Sequence, residues 1–386
     1  MRRIALMLLT LVSTSPALAQ ERDAASLPKM RVYVGTYTGP ASKGIYRLDF
    51  DPVSGALTPK GVAAETTNPS FLAISPDKKF LYAANEVGKF DGKATGSVSG
   101  FAIDPKTGDL TPLNQKASGG ADPCYLVVDP TGKNVLVANY SGGSVEVLPI
   151  DAGGKLGEPT SFIQHKGSSV DKGRQTSPHA HSFDLDASGK IAIAADLGLD
   201  KLLVYRFDPK QGRLTSNTTP HAIVAPGSGP RHFAFHPDEK HAYAINEMAS
   251  TITAFDYDPS KGTFAEIQTI STRGPGGKPG NSTAEILVHP SGKFVYGSNR
   301  GDDSLAIYAV EPTSGRLKLV GHQATGGKTP RNFGIDPTGR FLIAANQDSS
   351  TLVVFRIDRE TGLLKQVGEP VSVPKPVCVK FVPIEG

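Results

Sequence analysis

The sequence predicts an all-β fold, a seven-bladed β-propeller with four-stranded blades. Three observations carry the prediction. A strand–turn–strand unit recurs at a spacing of roughly fifty residues, the period of a propeller blade. A second strand–turn–strand unit follows each copy. The two ends of the chain are complementary fragments of one more blade.

The first unit reads FLAISPDKKFLYAANE, YLVVDPTGKNVLVANY, SFDLDASGKIAIAADL, HFAFHPDEKHAYAINE, EILVHPSGKFVYGSNR and NFGIDPTGRFLIAANQ, starting at Phe71, Tyr125, Ser182, His232, Glu285 and Asn332. Each copy is two apolar strands around a Pro- or Gly-containing turn. The second unit, as in STLVVFRIDRETGLLKQ, supplies the third and fourth strands. Alternation at Val353, Phe355 and Ile357 marks strands, and apolar residues on both phases at Leu202, Leu203 and Val204 fit sheets covered on two faces. RVYVGTYTG and GIYRLDFDPVSGALTP near the N-terminus give strands two to four of a blade that lacks its first. VCVKFVP, ending at Pro383, is an orphan strand. One C-terminal and three N-terminal strands should therefore close the seventh blade, making residues 29–386 a single domain without an open seam.

The leading segment MRRIALMLLTLVSTSPALAQ has Arg2 and Arg3, a short apolar run from Ile4 to Val12, and a small-x-small site at Ala17-Leu18-Ala19. This reads as a signal peptide over 1–19, cleaved after Ala19, with 20–28 as a loose leader. The apolar run is too short to span a bilayer. The expected product is periplasmic or secreted, monomeric and free of membrane association.

The net charge is +4, with Lys and Arg interspersed among acids. No basic run interleaved with aromatics appears, which argues against nucleic acid and leaves room for a small anionic substrate. The two cysteines, Cys124 and Cys378, have no zinc spacing, and sequence leaves their pairing open. No Cys–His pairing is legible, so a nucleophilic thiol is not expected. No G-x-S-x-G elbow or phosphate-binding loop occurs.

Aligning the repeats separates scaffold from site. Asn85, Asn139, Asp196, Asn246, Asn299 and Asn346, with Thr36, end every second strand and read as turn-holding scaffold. The next position does not repeat: Tyr37, Glu86, Tyr140, Leu197, Glu247, Arg300, Gln347. Two more irregular columns enter the innermost strand. They are Ser70, Cys124, His181, Arg231, Ala284, Arg331 and Phe71, Tyr125, Ser182, His232, Glu285, Asn332. In an antiparallel blade all three columns share one end, so they should meet at one mouth of the central channel. His179 lies two residues before His181, the spacing of one strand face. Arg231 and Arg331 also read as inter-blade staples, with Glu247 and Glu285 as their counter-charges. A metal on the two histidines would need a third ligand that is not apparent, so no metal and no cofactor is expected. His165, His221, His236, His241, His289 and His322 fall in turns or outer positions and read as surface residues.

The stretch Gly229-Pro230-Arg231-His232 with HPDEKHAYAINE, together with SPHAHSFDLD, TAEILVHPSGKFVYGSNR and TPRNFGIDPTGRFLIAANQ, resembles the bacterial β-propeller lactonase family. That family contains the cycloisomerase-type 6-phosphogluconolactonases and is related to 3-carboxy-cis,cis-muconate lactonizing enzymes. The resemblance covers essentially the whole mature chain. It implies hydrolysis of a sugar lactone by a His, two Arg and a Glu at the channel mouth. By motif these are His181 or His179, Arg231, Glu247, and Arg300 with Arg331 as the alternative. Around them His232, Glu285, Arg331, Asn332 and Gln347 are expected to bind the substrate. A signal peptide fits an unphosphorylated aldonolactone better than a cytoplasmic phosphorylated one. A muconate-type cycloisomerase and a non-catalytic binding module are the alternatives.

Overall fold

The computed structural model describes residues 27–384. The signal peptide read at 1–19 and most of the leader lie outside the described residues. Among the described residues, twenty-eight strands run from β1 (Met30–Thr36) to β28 (Pro376–Pro383) and pair into seven four-stranded antiparallel sheets. The seventh sheet has the order β28, β1, β2 (Gly44–Phe50), β3 (Leu57–Glu65), so the chain ends meet in one blade as the fragments required. Each blade turns sharply between its first two strands. Gly132, Gly189, Gly292 and Gly339 take φ of 64–73° there, a left-handed conformation that costs glycine nothing.

The innermost strands are β4 (Pro69–Ile74), β8 (Pro123–Val128), β12 (Ala180–Leu185), β16 (Pro230–Phe235), β20 (Ser282–Val288), β24 (Pro330–Ile335) and β28. Each packs against the next, and β24 packs against β28, which packs against β4. The contacts therefore close a ring around a central channel.

Tyrosines staple blades together. The hydroxyls of Tyr33, Tyr82, Tyr243 and Tyr296 donate to the carbonyls of Gly108, Gly154, Gly315 and Gly362, each in the next blade's outer turn, at 2.6–2.9 Å. The Asn column is scaffold, as expected. Asn85, Asn139, Asn299 and Asn346 donate from Nδ2 to the carbonyls of Thr67, Ser118, Thr272 and Thr325.

Every innermost strand carries a β-bulge at the same place. The register slips between Pro69 and Phe71, Pro123 and Tyr125, Ala180 and Ser182, Pro230 and His232, and Pro330 and Asn332, with matching slips in β20 and β28. The extra residues include Ser70, Cys124, His181, Arg231 and Arg331, which are one of the irregular columns. A bulge re-aims a side chain that regular pleating would send elsewhere.

Three histidines expected at the surface are buried instead: His165, His241 and His289. His165 lies between Asp196 (Nδ1 to Oδ2, 2.6 Å) and the Tyr205 hydroxyl (2.9 Å to Nε2). His289 donates from Nε2 to Gly339 of the next blade at 2.7 Å. His241 packs on Gly315, where any side chain would collide with the imidazole. These contacts join separate blades, so local sequence does not announce them. Cys124 and Cys378 are both buried and unpaired with each other.

Glu146, on β10 (Ser144–Pro149), is buried, and its Oε1 has no hydrogen-bond partner among the described residues. Burial, with a smaller push from Glu158, raises its pKa to about 8. The folded protein thus keeps a proton there that the unfolded chain releases near its ordinary value. The contribution of this group to stability should fall as pH rises from about 4.5 to about 8 and level off above. Glu146→Gln should flatten that decline, read as Tm against pH.

Candidate active site

Glu247 follows the second strand of blade four and stands at the centre of a guanidinium cluster. Its Oε2 accepts from Arg231 Nε at 3.1 Å and pairs with Arg300 at 2.9 Å, while Oε1 accepts from Arg174 at 2.8 Å. Burial favours the neutral acid, but Arg300 and Arg231 outweigh it and hold the carboxyl well below the usual range. Arg231, seated in the β16 bulge, also donates from one terminal nitrogen to Ala284 O at 2.7 Å. Burial, then Arg331 and Arg300, push Arg231 down to about 10, so it is still a cation at neutral pH. Arg300 donates to Thr283 O at 2.8 Å.

Arg331 differs from these three. Its guanidinium lies 5.3 Å over the Tyr37 ring, and among the described residues no carboxylate comes within ion-pair distance of it. The Tyr37 hydroxyl donates to Glu86 at 2.9 Å, and burial raises its pKa.

Tyr140 joins the histidines to this cluster. Its hydroxyl accepts from Arg174 at 2.9 Å. His179 stacks on its ring at 4.6 Å, and His181 meets the ring edge-on at 5.2 Å. The two histidines therefore do not share a regular strand face. His179 precedes β12, and His181 occupies the bulge. His179 Nδ1 faces the Tyr140 carbonyl at 3.0 Å, which fixes the proton on Nδ1 and leaves a lone pair on Nε2. His181 is fully enclosed; burial and then Arg231 hold it well below the ordinary histidine value.

A Cys–His contact that the sequence hid is present: Cys124 Sγ lies 3.5 Å from His181 Nδ1. Burial pushes the thiol well above its ordinary value while His181 is pushed down. Both shifts favour the neutral pair, which does not supply a thiolate.

His232, Glu285 and Asn332 form a hydrogen-bonded chain beside Arg231. His232 Nε2 accepts from Arg231 at 3.1 Å, and its Nδ1 contacts Glu285 Oε1 at 2.8 Å. Asn332 donates to Glu285 Oε2 and accepts from Val379 N at 2.9 Å. Burial raises Glu285 to about 7. Further along the channel is a cavity of about 240 Å³ lined by Phe71, Tyr125, Glu285, Asn332, Lys380 and Phe381 among others. Gln347 stands apart; among the described residues its Nε2 reaches only Asp348, at 3.3 Å, and its buried Oε1 has no partner.

Arg174 escaped the column comparison because it belongs to no column. It sits in residues 165–179, the long connection from β11 (Ser161–Gln164) to β12. There Asp171 Oδ1 accepts from the amides of Gly173 and Arg174 and fixes a tight turn. The unusual length of this connection was its only signal.

Among proteins of known sequence, a 6-phosphogluconolactonase of Bacillus subtilis is 41% identical over 350 residues, covering 91% of this chain and 97% of the relative. A 6-phosphogluconolactonase of Formosa agariphila is 35% identical, covering 79% of this chain and 86% of the relative. The solved structure of the periplasmic gluconolactonase of Pseudomonas aeruginosa superposes with a TM-score of 0.86 at 34% identity, covering 92% of this chain and 100% of that one. The family described as "Lactonase, 7-bladed beta-propeller" matches residues 31–381. The ring, its shared closing blade and these matches agree: the chain belongs to the seven-bladed β-propeller lactonase family.

Proposed function

We propose that this protein hydrolyses a sugar lactone at the channel mouth without a metal ion. The observation that carries the reading is the grouping of three guanidiniums on one ionised carboxylate, with a fourth, Arg331, held over Tyr37, and an imidazole with a free lone pair on its Nε2. Lactone opening needs a base for the attacking water and positive charge where the carbonyl oxygen becomes negative. Glu247 is committed to three arginines and is a poor base. His181 is enclosed. His179, half-buried with its Nδ1 proton anchored, is the better general base. Arg331, free of a carboxylate partner, and Arg300 would face the developing oxyanion. Arg231 and Glu247 hold the charges in register, and the His232–Glu285–Asn332 chain supports Arg231 from beside it. The signal sequence, together with the resemblance to a periplasmic gluconolactonase, favours an unphosphorylated aldonolactone as substrate and the periplasm as its location.

The test is a panel of glucono-lactone, 6-phosphogluconolactone and a muconate-type diacid, corrected for spontaneous hydrolysis and run with and without chelator. Hydrolysis of glucono-lactone that survives chelation is expected. His179→Ala should lower kcat by about 10²–10⁴-fold, the range of general-base contributions. Activity confined to diacid cyclisation, or no activity above background, would overturn the proposal.

A further inference from the structure

At the other end of β16 from Arg231, the turn into β17 (His241–Asn246) holds a second cluster of chemistry-bearing side chains. His236, Asp238 and His241 each offer one ligand atom, and these atoms all lie within 4.8 Å of one another. His236 Nδ1 lies 2.9 Å from Asp238 Oδ1, and His241 Nδ1 lies 2.6 Å from Asp238 Oδ2.

The repeat provides an internal control. In blade five the same turn carries His289, Ser291 and Phe294 at the places of His236, Asp238 and His241. His289 and His236 do the same scaffold work: each directs Nε2 at a carbonyl of the following blade, Gly339 at 2.7 Å and Gly292 at 2.8 Å. That fixes the proton on Nε2 and leaves Nδ1 with a lone pair. In blade five the lone pair meets the Ser291 hydroxyl at 2.7 Å, which can donate to it. In blade four it meets a carboxylate oxygen, which cannot. In both blades the lone pair also accepts the amide two residues on, Ser291 N at 3.1 Å and Asp238 N at 3.2 Å, but in blade four a second acceptor, Asp238 Oδ1, stands beside it at 2.9 Å where blade five has a hydroxyl donor. The contact is repulsive unless His236 takes a second proton or a cation lies between the two atoms.

Blade four also replaces the packing phenylalanine by His241, whose Nε2 lies 3.6 Å from Asp256 Oδ1. With its proton on Nε2, His241 would present a lone pair from Nδ1 and hold the outer nitrogen towards a carboxylate. His236 thus has the backbone-carbonyl partner that orients metal-ligating histidines, while His241, now hydrogen-bonded to Asp238 through Nδ1 at 2.6 Å, would exchange that proton for the ion. Asp238 also accepts from the Lys240 amide at 2.8 Å and the His241 amide at 3.2 Å, which keep its carboxylate in place.

We propose that this turn binds one borderline divalent transition-metal ion, of the Zn²⁺ class, through His236 Nδ1, the Asp238 carboxylate and His241 Nδ1. Two imidazoles and one carboxylate suit such an ion, with water completing a tetrahedron. The site lies at the opposite end of its blade from the arginine cluster, so its role is to clamp the turn rather than to take part in lactone chemistry. It does not depend on the proposed reaction.

The experiment titrates protein stripped of metal with Zn²⁺ by calorimetry and with Co²⁺ by visible absorption, and follows Tm. The wild type should bind one equivalent, develop Co²⁺ ligand-field bands and gain Tm. Asp238→Ser and His241→Phe install the residues that blade five already carries, so both should fold. Each should weaken binding more than about tenfold and lose the Tm gain. Failure of the wild type to bind either ion would show that a proton satisfies the His236–Asp238 contact and would overturn the proposal. So would equal binding by wild type and both variants, which would place the ion elsewhere.

Discussion

Arg231→Ala is expected to lower kcat/KM for lactone hydrolysis by roughly a hundredfold or more, the scale of losing one preorganised charge-stabilising donor, because it releases the partners that hold the donors in register. The loss should exceed that of a simple binding contact because Arg231 holds three partners at once. Without it, Glu247 retains Arg300 and Arg174 but loses its Nε contact, and the Ala284 carbonyl and His232 Nε2 each lose a donor. Arg231→Lys should recover little, since an ammonium does not reproduce a planar fork with several fixed N–H directions. Steady-state kinetics on both variants, with circular dichroism to confirm folding, is the measurement. Wild-type activity in Arg231→Ala would remove this cluster from the reaction.

A chain ending at Pro374 is expected to yield no soluble folded protein. The removed segment supplies all of β28, which pairs with β1 from Met30↔Pro383 to Thr36↔Pro376. It also supplies the buried side chains of Val377, Cys378, Val379 and Val382. Burying an aliphatic side chain contributes about 1.5–3 kcal/mol, so several together rival a whole stability margin of about 5–15 kcal/mol. The truncation also leaves β1 as an open edge beside the channel and removes the amide that Asn332 accepts from. Soluble yield and thermal unfolding test this. Cooperative melting at the temperature of the full chain would show that the ring does not need its closing strand.

The blades were legible because their signals are local. Turn glycines, alternating strands and the Asn column repeat within stretches of some fifteen residues, and the incomplete ends could only complement each other. The site was legible to the extent that it lies in columns. Arg231, Glu247 and Arg300 were selected from two positions of a repeat, and the structure brings them into contact. Arg174 was not legible, because it reaches Glu247 from a connection outside the repeat. The Cys124–His181 contact was not legible, because it spans two blades and depends on both side chains lying in bulges. His165, His241 and His289 were misread as exposed because their burial comes from neighbouring strands or the outer turn of another blade.

The bulge in each innermost strand has a consequence for how such a protein can change. The extra residue lies outside the regular pairing of its ladder, so its side chain can be exchanged without disturbing the rungs on either side. In this chain those places hold serine, cysteine, histidine, alanine, valine and two arginines on one unchanged frame. Sockets such as those of Cys124, His181 and Arg231 put their side chains into the candidate site, and a change at one of them leaves the ladder's pairing in place. A lineage built this way can alter what it recognises one socket at a time.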